Sequence, residues 1–90
     1  MTLDFYRVCD WLRVNPGDDD EHIRGLMAAV PTYIETTTGM TPEQQGNEPL
    51  AETVSKFILM QWYDVMLDEK NDIQRIIDSL LKVLTVKARG

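Results

Sequence analysis

The chain is poor in the residues that staple a small domain together. It has one cysteine, Cys9, and one histidine, His22, in 90 residues. A single cysteine excludes an intrachain disulfide. Cys9 and His22 together cannot supply the ligand set of a structural zinc site. A lone thiol also suits a reducing compartment. Long apolar runs are missing as well. The longest, Phe57-Ile58-Leu59-Met60, stops at Gln61, well short of the roughly 18–20 residues a membrane span needs. No basic start followed by an apolar run marks a secretory signal. The expectation is a soluble protein made inside a cell, with no membrane partner.

Basic residues are scarce too. Nine Lys and Arg face fifteen Asp and Glu, for a net charge of −6. A general DNA-binding surface needs clustered cations to displace counterions, and this composition does not offer one. It remains compatible with DNA passing nearby, because an acidic wall repels phosphates and lets a duplex slide past.

The motifs of catalysis are also absent. No Gly-rich phosphate loop, no His-Glu-x-x-His and no paired-cysteine spacing occurs. Asp18-Asp19-Asp20-Glu21 has neither the alternating ligands, the turn glycine nor the distal Glu of a calcium loop, so it reads as helix capping and a solvated charge cluster. Cys9 falls on an apolar helical stripe and has no partner motif, so it reads as an inert core thiol. No catalytic, cofactor-binding or metal-ligating residue is assigned, and the chain reads as non-enzymatic.

What is present is helical period throughout, with no strand-like alternation and no internal repeat. The pattern predicts an all-α, single small four-helix domain over residues 1–90. A short first helix runs from Thr2, as N-cap, to about Arg13, with Phe5, Val8, Cys9 and Leu12 on one face. Asn15-Pro16-Gly17 breaks it. A second helix begins at Asp18, with Glu21 completing a capping box. It carries Ile23, Leu26, Met27, Val30, Tyr33, Ile34 and Thr37, is kinked by Pro31 and ends at Gly39. The connector from Met40 to Pro49 holds one possible turn at Thr41-Pro42-Glu43-Gln44, then a loop at Gln45-Gly46-Asn47. A third helix, about Leu50 to Glu69, is the longest and most apolar. Leu50, Val54, Phe57, Ile58, Gln61, Val65 and Met66 share one face, and Leu59, Met60, Trp62, Tyr63 and Leu67 spread around the rest. A fourth helix, capped by Asn71 or Asp72, carries Ile73, Ile76, Ile77, Leu80, Leu81 and Leu84. Residues 85–90 then read as a mobile basic tail.

Ninety residues bury only about three-fifths of the surface they expose when unfolded. Without disulfides or metal, self-association is the remaining support for so thin a core. A third helix apolar nearly all round cannot be covered completely by three short neighbours. Its surplus, at Leu59, Tyr63 and Leu67, is as compatible with an interface as with core, while Trp62 leans to core. Tyr6 and Trp11, off the first helix's stripe, are candidates for a second patch. Asp18, Asp19, Asp20 and Glu21 form a solvated acidic cluster. Lys87 and Arg89 are a candidate docking tail, or simply a solvated terminus.

The order of these features is similar to the head–tail connector (head-completion, adaptor or DNA-packaging) family of long-tailed double-stranded DNA phages. The likeness rests on Leu3 to Val14, on the acidic cap followed by a helix closing Tyr33-Ile34-Glu35 and Thr38-Gly39, on the helix from Pro49 containing Ile58-Leu59-Met60-Gln61-Trp62-Tyr63, and on Ile76-Ile77-Asp78-Ser79-Leu80-Leu81 near the C-terminus. It spans nearly the whole chain. Two positions differ from the family's habit. Asp64-Val65-Met66 stands where a basic residue often follows Trp-Tyr, and Glu69-Lys70-Asn71 stands in place of a Pro-Gly-like turn. The resemblance implies a homo-oligomeric ring, commonly a dodecamer, docked beneath the portal protein of a filled head. The ring would extend the DNA channel and support the next connector or tail-completion protein. It implies a place in the virion, at the head–tail junction, after assembly in the host cytoplasm. A ring needs two different patches that meet around a closing rotation; the third helix and the Tyr6–Trp11 region are the expected pair, and Asp18, Asp19, Asp20 and Glu21 would face either the channel or the outer rim. The alternative is a small acidic helical regulatory module that binds a partner protein.

Overall fold

The computed structural model describes residues 3–64 and 70–90. They are all-helical. Five helices, α1 (Phe5–Leu12), α2 (Asp20–Thr38), α3 (Pro42–Gly46), α4 (Pro49–Tyr63) and α5 (Lys70–Arg89), are joined by turns, with no strand among the described residues. None of the described helices is long and apolar enough to cross a membrane.

The start of α1 is capped by Asp4, whose carboxylate accepts the Tyr6 amide at 3.1 Å. The expected cap, Thr2, lies outside the described residues. At the other end Arg13 takes a left-handed conformation, φ 59° and ψ 44°, and its amide returns to the carbonyls of Cys9 and Asp10. That geometry is uncommon for a non-glycine residue and turns the chain toward Pro16.

The capping box expected at Asp18 and Glu21 does not form. α2 starts two residues later, and the Asp20 carboxylate accepts the Gly17 amide at 2.6 Å. Gly17, at φ 102°, folds the loop back so that its own N–H points at the helix start. The far end of α2 behaves as expected, with Gly39 at φ 82° closing onto the Glu35 carbonyl. Thr38, rather than Thr37, turns inward. Its hydroxyl donates to Ile34 O at 2.7 Å and accepts the Met40 amide at 3.1 Å, which seats Met40 in the core.

Thr41 and Gln44 form a reciprocal capping box over α3, with Pro42 in its first turn. The helix continues through Gln45 and Gly46, so the loop expected there is shorter. Gln45 is 1% exposed, and its side-chain amide donates to Pro31 O (3.1 Å) and Met40 O (2.9 Å). It ties the connector to the middle of α2.

α4 is capped by Glu48 and ends at Tyr63, not Glu69; Asp64 already has non-helical angles. At 15 residues it is shorter than α2 and α5, with 19 and 20. Val65, Met66 and Leu67, assigned to it from the sequence, lie outside the described residues. Its inward stripe is Ala51, Val54, Ser55, Ile58 and Leu59, while Leu50, Phe57 and Gln61 are half-buried. This helix packs against each of the other four, so its small inward residues let neighbours approach from several sides.

α5 begins at Lys70, before the expected caps, and stays helical to Arg89. The expected mobile tail is therefore the last turn of a helix. Leu84 is buried, Ala88 packs on the core, and the Lys87 ammonium reaches the Glu48 carboxylate at 2.9 Å. Ile73, Ile77, Leu81 and Leu84 face inward, but Ile76, expected in the same stripe, is 40% exposed. Ile76 and Ile77 are about 100° apart on the helix, and only one of them can point at α4.

The molecule measures 41 × 27 × 18 Å. Its thin dimension is under two helix diameters of about 10–12 Å. In so thin a slab α2 and α5 keep exposed outer faces, while α4 is largely covered by its neighbours.

Candidate functional site

The C-terminal ends of α1 and α4 frame an open cleft of about 590 Å³, lined by Asp10, Trp11, Leu12, Arg13, Lys56, Met60, Tyr63 and Asp64. Trp11 is half-buried and forms part of one wall. The Arg7 guanidinium lies 5.5 Å from its ring centre and is itself held 2.7 Å from Glu52. The chain Glu52–Arg7–Trp11 thus fixes the indole from behind, by an ion pair and a cation–π contact.

Tyr63 supplies part of the opposite wall. Burial pushes its phenol above the ordinary range, and the Asp19 carboxylate, which accepts its hydrogen bond, adds to the shift, with Asp18 contributing charge. The His22 ring stands 5.7 Å from the Tyr63 ring. The acidic turn is therefore joined to the cleft through Tyr63. Asp18 and Glu21 are exposed there, and Asp19 and Asp20 half-buried. Arg13 and Lys56 oppose Asp10 and Asp64 within the cleft, so its polar groups carry both signs.

The site residues expected from the sequence divide. Trp11 and Tyr63, placed on two different patches by sequence reasoning, line one cleft. Tyr6 does not join them. It is 65% exposed and meets Phe5 edge-on at 5.5 Å, because five helical residues turn it about 140° from Trp11. Leu59 must be withdrawn as an interface residue: it is wholly buried in the protomer, where α4 turns it into the core. Leu67 lies outside the described residues. Trp62 is half-buried, edge-on to Tyr33 at 5.4 Å. Lys87 is no loose docking tail, since it is paired with Glu48, while Arg89 is exposed at the helix end.

Sequence reasoning missed Arg13 and Lys56 as cleft residues, because the cleft exists only where two helix ends converge. It also missed the outer face of α5, where Ile76, Val83 and Val86 are 40%, 41% and 70% exposed. Its signal was readable: these residues recur at helical spacing on a face turned away from Ile77, Leu81 and Leu84.

Cys9 is buried, and its thiol is raised above its ordinary range, first by burial and then by the charges of Asp20 and Asp10. Among the described residues no group of three or more His, Cys, Asp and Glu is arranged to hold a metal ion. A second, shallower depression of about 410 Å³ lies at the α3–α4 junction, around Gln45 and Glu48. No family model matches the chain, and no curated protein or solved structure matches it either.

Proposed function

We propose that the chain is a non-enzymatic structural subunit of a phage virion. It is a head–tail connector that assembles as a ring beneath the portal protein, extends the DNA channel and supports the next connector or tail-completion protein. In this reading α1, α2, α4 and α5 are the four helices of the connector domain, and α3 is a turn within its variable loop. The order of helices and the Trp62-Tyr63 placement that underlie the family resemblance support it. So does the net charge of −6, suited to a wall along which DNA slides.

The single observation that carries the reading is the cleft. It offers two aromatic anchors, Trp11 and Tyr63, flanked by charges of both signs. Interface hot spots are rich in Trp, Tyr and Arg, and a mixed-charge rim selects a partner by complementarity. Portal is the partner this reading assigns to it.

The test is to mix purified protein with purified portal and examine the product by electron microscopy. A stoichiometric ring on the portal is expected, and Trp11→Ala with Tyr63→Ala should weaken its formation about tenfold or more. Failure to bind portal at any ratio would sink the proposal.

A second reading is favoured by the same acidic charge: a small regulatory module that docks on one partner protein. It is separated by the same experiment, because such a module ignores portal. Channel lining by Asp18, Asp19 and Asp20 has its own test. Reversing their charges should change DNA retention in assembled particles, and unchanged retention would place them on the outer rim.

A further inference from the structure

Charge is unevenly distributed along this chain. α5 carries five basic and two acidic residues, +3, in a protein of net charge −6. The basic ones are also ordered. Arg75, Lys82 and Arg89 recur every seven residues and lie along one shoulder of the exposed face. On the other shoulder are Ile76, Val83 and Val86, all well exposed. Positions 76, 79, 83 and 86 follow the alternating three and four spacing of a helix–helix seam. Among the described residues Arg75 makes a long contact, 4.0 Å, to Asp72, with both side chains highly exposed. An apolar seam edged by a row of cations calls for a covering helix edged by carboxylates. A second α5 cannot be that helix, because it would bring cations against cations.

The outer face of α2 has the complementary pattern. Glu21, Gly25, Ala28, Thr32 and Glu35 are all exposed and follow the same alternating spacing. The middle of the seam is small and its ends are carboxylates. A Cβ placed on Gly25 would meet nothing within 4 Å, so packing within the protomer gives no reason for glycine there. Glycine inside a helix is destabilising relative to alanine. Close approach of another helix would supply a reason. The nearest cation on α2, Arg24, is drawn aside, its guanidinium lying 4.0 Å over the Phe5 ring. The spans also match: Glu21 to Glu35 and Arg75 to Arg89 each cover about 21 Å at 1.5 Å per residue.

We propose that α5 of one copy packs antiparallel on α2 of the next, with Arg75 facing Glu35 and Arg89 facing Glu21. Val86 then falls over Gly25 and Val83 over Ala28. The antiparallel sense brings the cationic C-terminal end of α5 to the acidic start of α2, and it opposes the two helix dipoles favourably. The contact joins two different faces, so each copy keeps one of each for a further neighbour, as a ring requires. The inference rests on the ring reading above and deepens it by naming the faces that meet.

The test uses the full chain alone and then with portal. Sedimentation velocity over a range of concentrations should show reversible association of the wild type. Glu21→Lys with Glu35→Lys should raise the concentration needed about tenfold or more, and adding Arg75→Glu with Arg89→Glu should restore it. Gly25→Leu, at an exposed position where an added Cβ meets nothing within 4 Å, should abolish association while leaving the circular dichroism helical. Under mild oxidant, a mixture of Ala28→Cys and Val83→Cys chains should give cross-linked dimers far faster than either variant alone. A wild type that stays monomeric, charge swaps without rescue, or a mixture that cross-links no faster than its components would each overturn the proposal. Portal binding is read separately in the same variants. Portal bound without these cross-links discards the α5–α2 contact and leaves the connector reading standing. Cross-links formed by a protein that ignores portal discard the connector reading instead.

Discussion

Glu48 caps the start of α4 and pairs with Lys87, from the last turns of α5, at 2.9 Å. One carboxylate thus closes two helix ends that are 39 residues apart in the chain. The Lys87 hydrogen bond, followed by the Leu50 amide, holds the Glu48 carboxyl below its usual 4.5.

That depression has a definite sign. The carboxylate contributes stability that is fully present above about pH 4.5 and is lost as the pH falls through the lower folded value. Glu48→Gln should therefore lower the melting temperature at neutral pH, and its deficit should shrink as acid protonates the wild type. Thermal melts of both proteins between neutral and acidic pH check this. A deficit independent of pH would assign the effect to shape rather than charge.

Leu59 and Tyr63 stand one helical turn apart on α4 and should behave differently when truncated. Leu59 is sealed in the core, so Leu59→Ala should cost about 2–5 kcal/mol in denaturant unfolding. Tyr63 lines the cleft, so Tyr63→Ala should act mainly on partner binding and leave most of the stability. Equal losses of stability in the two variants would move Tyr63 into the core.

Burial and the Asp19 hydrogen bond raise the Tyr63 phenol from its ordinary 10.0. Ultraviolet titration should therefore find one tyrosine ionising late, and Asp19→Asn should bring it down. By linkage, the stability tied to this neutral phenol is complete below about pH 10 and is lost as pH rises through the folded value. A titration unaffected by Asp19→Asn would separate the acidic turn from the cleft.

Gln45 should prove to be structural. Its amide serves two carbonyls, while its own Oε1 is buried without a partner among the described residues. Gln45→Leu should cost about 1–3 kcal/mol, because the Pro31 and Met40 carbonyls lose a donor. Chemical denaturation measures it, and amide exchange should increase around α3.

Cys9 is buried, and the charges of Asp20 and Asp10 add to burial in raising its thiol. A thiol reagent at neutral pH should label it slowly in the native protein and promptly after unfolding, since only the thiolate attacks. Fast labelling of native protein would show that α1 opens readily.

Local rules were legible in the sequence because they act over a few residues. The all-helical class, the break at Asn15-Pro16-Gly17, the Thr41–Gln44 turn and the Gly39 cap follow from period, proline and glycine chemistry. The buried places of Val8, Cys9, Ile23, Ile34 and Ile58 follow from spacing alone. Only the tertiary structure decided what depends on which elements converge. Leu59 went inward because α4 has neighbours on several sides. Asp20 took the Gly17 amide because a left-handed turn brought it near. Trp11 and Tyr63 came to line one cleft because two helix ends converge there, and Lys87 found Glu48 because α5 packs along α4. Periodicity says which residues share a face of one helix; it carries no information about which other face will lie across from it.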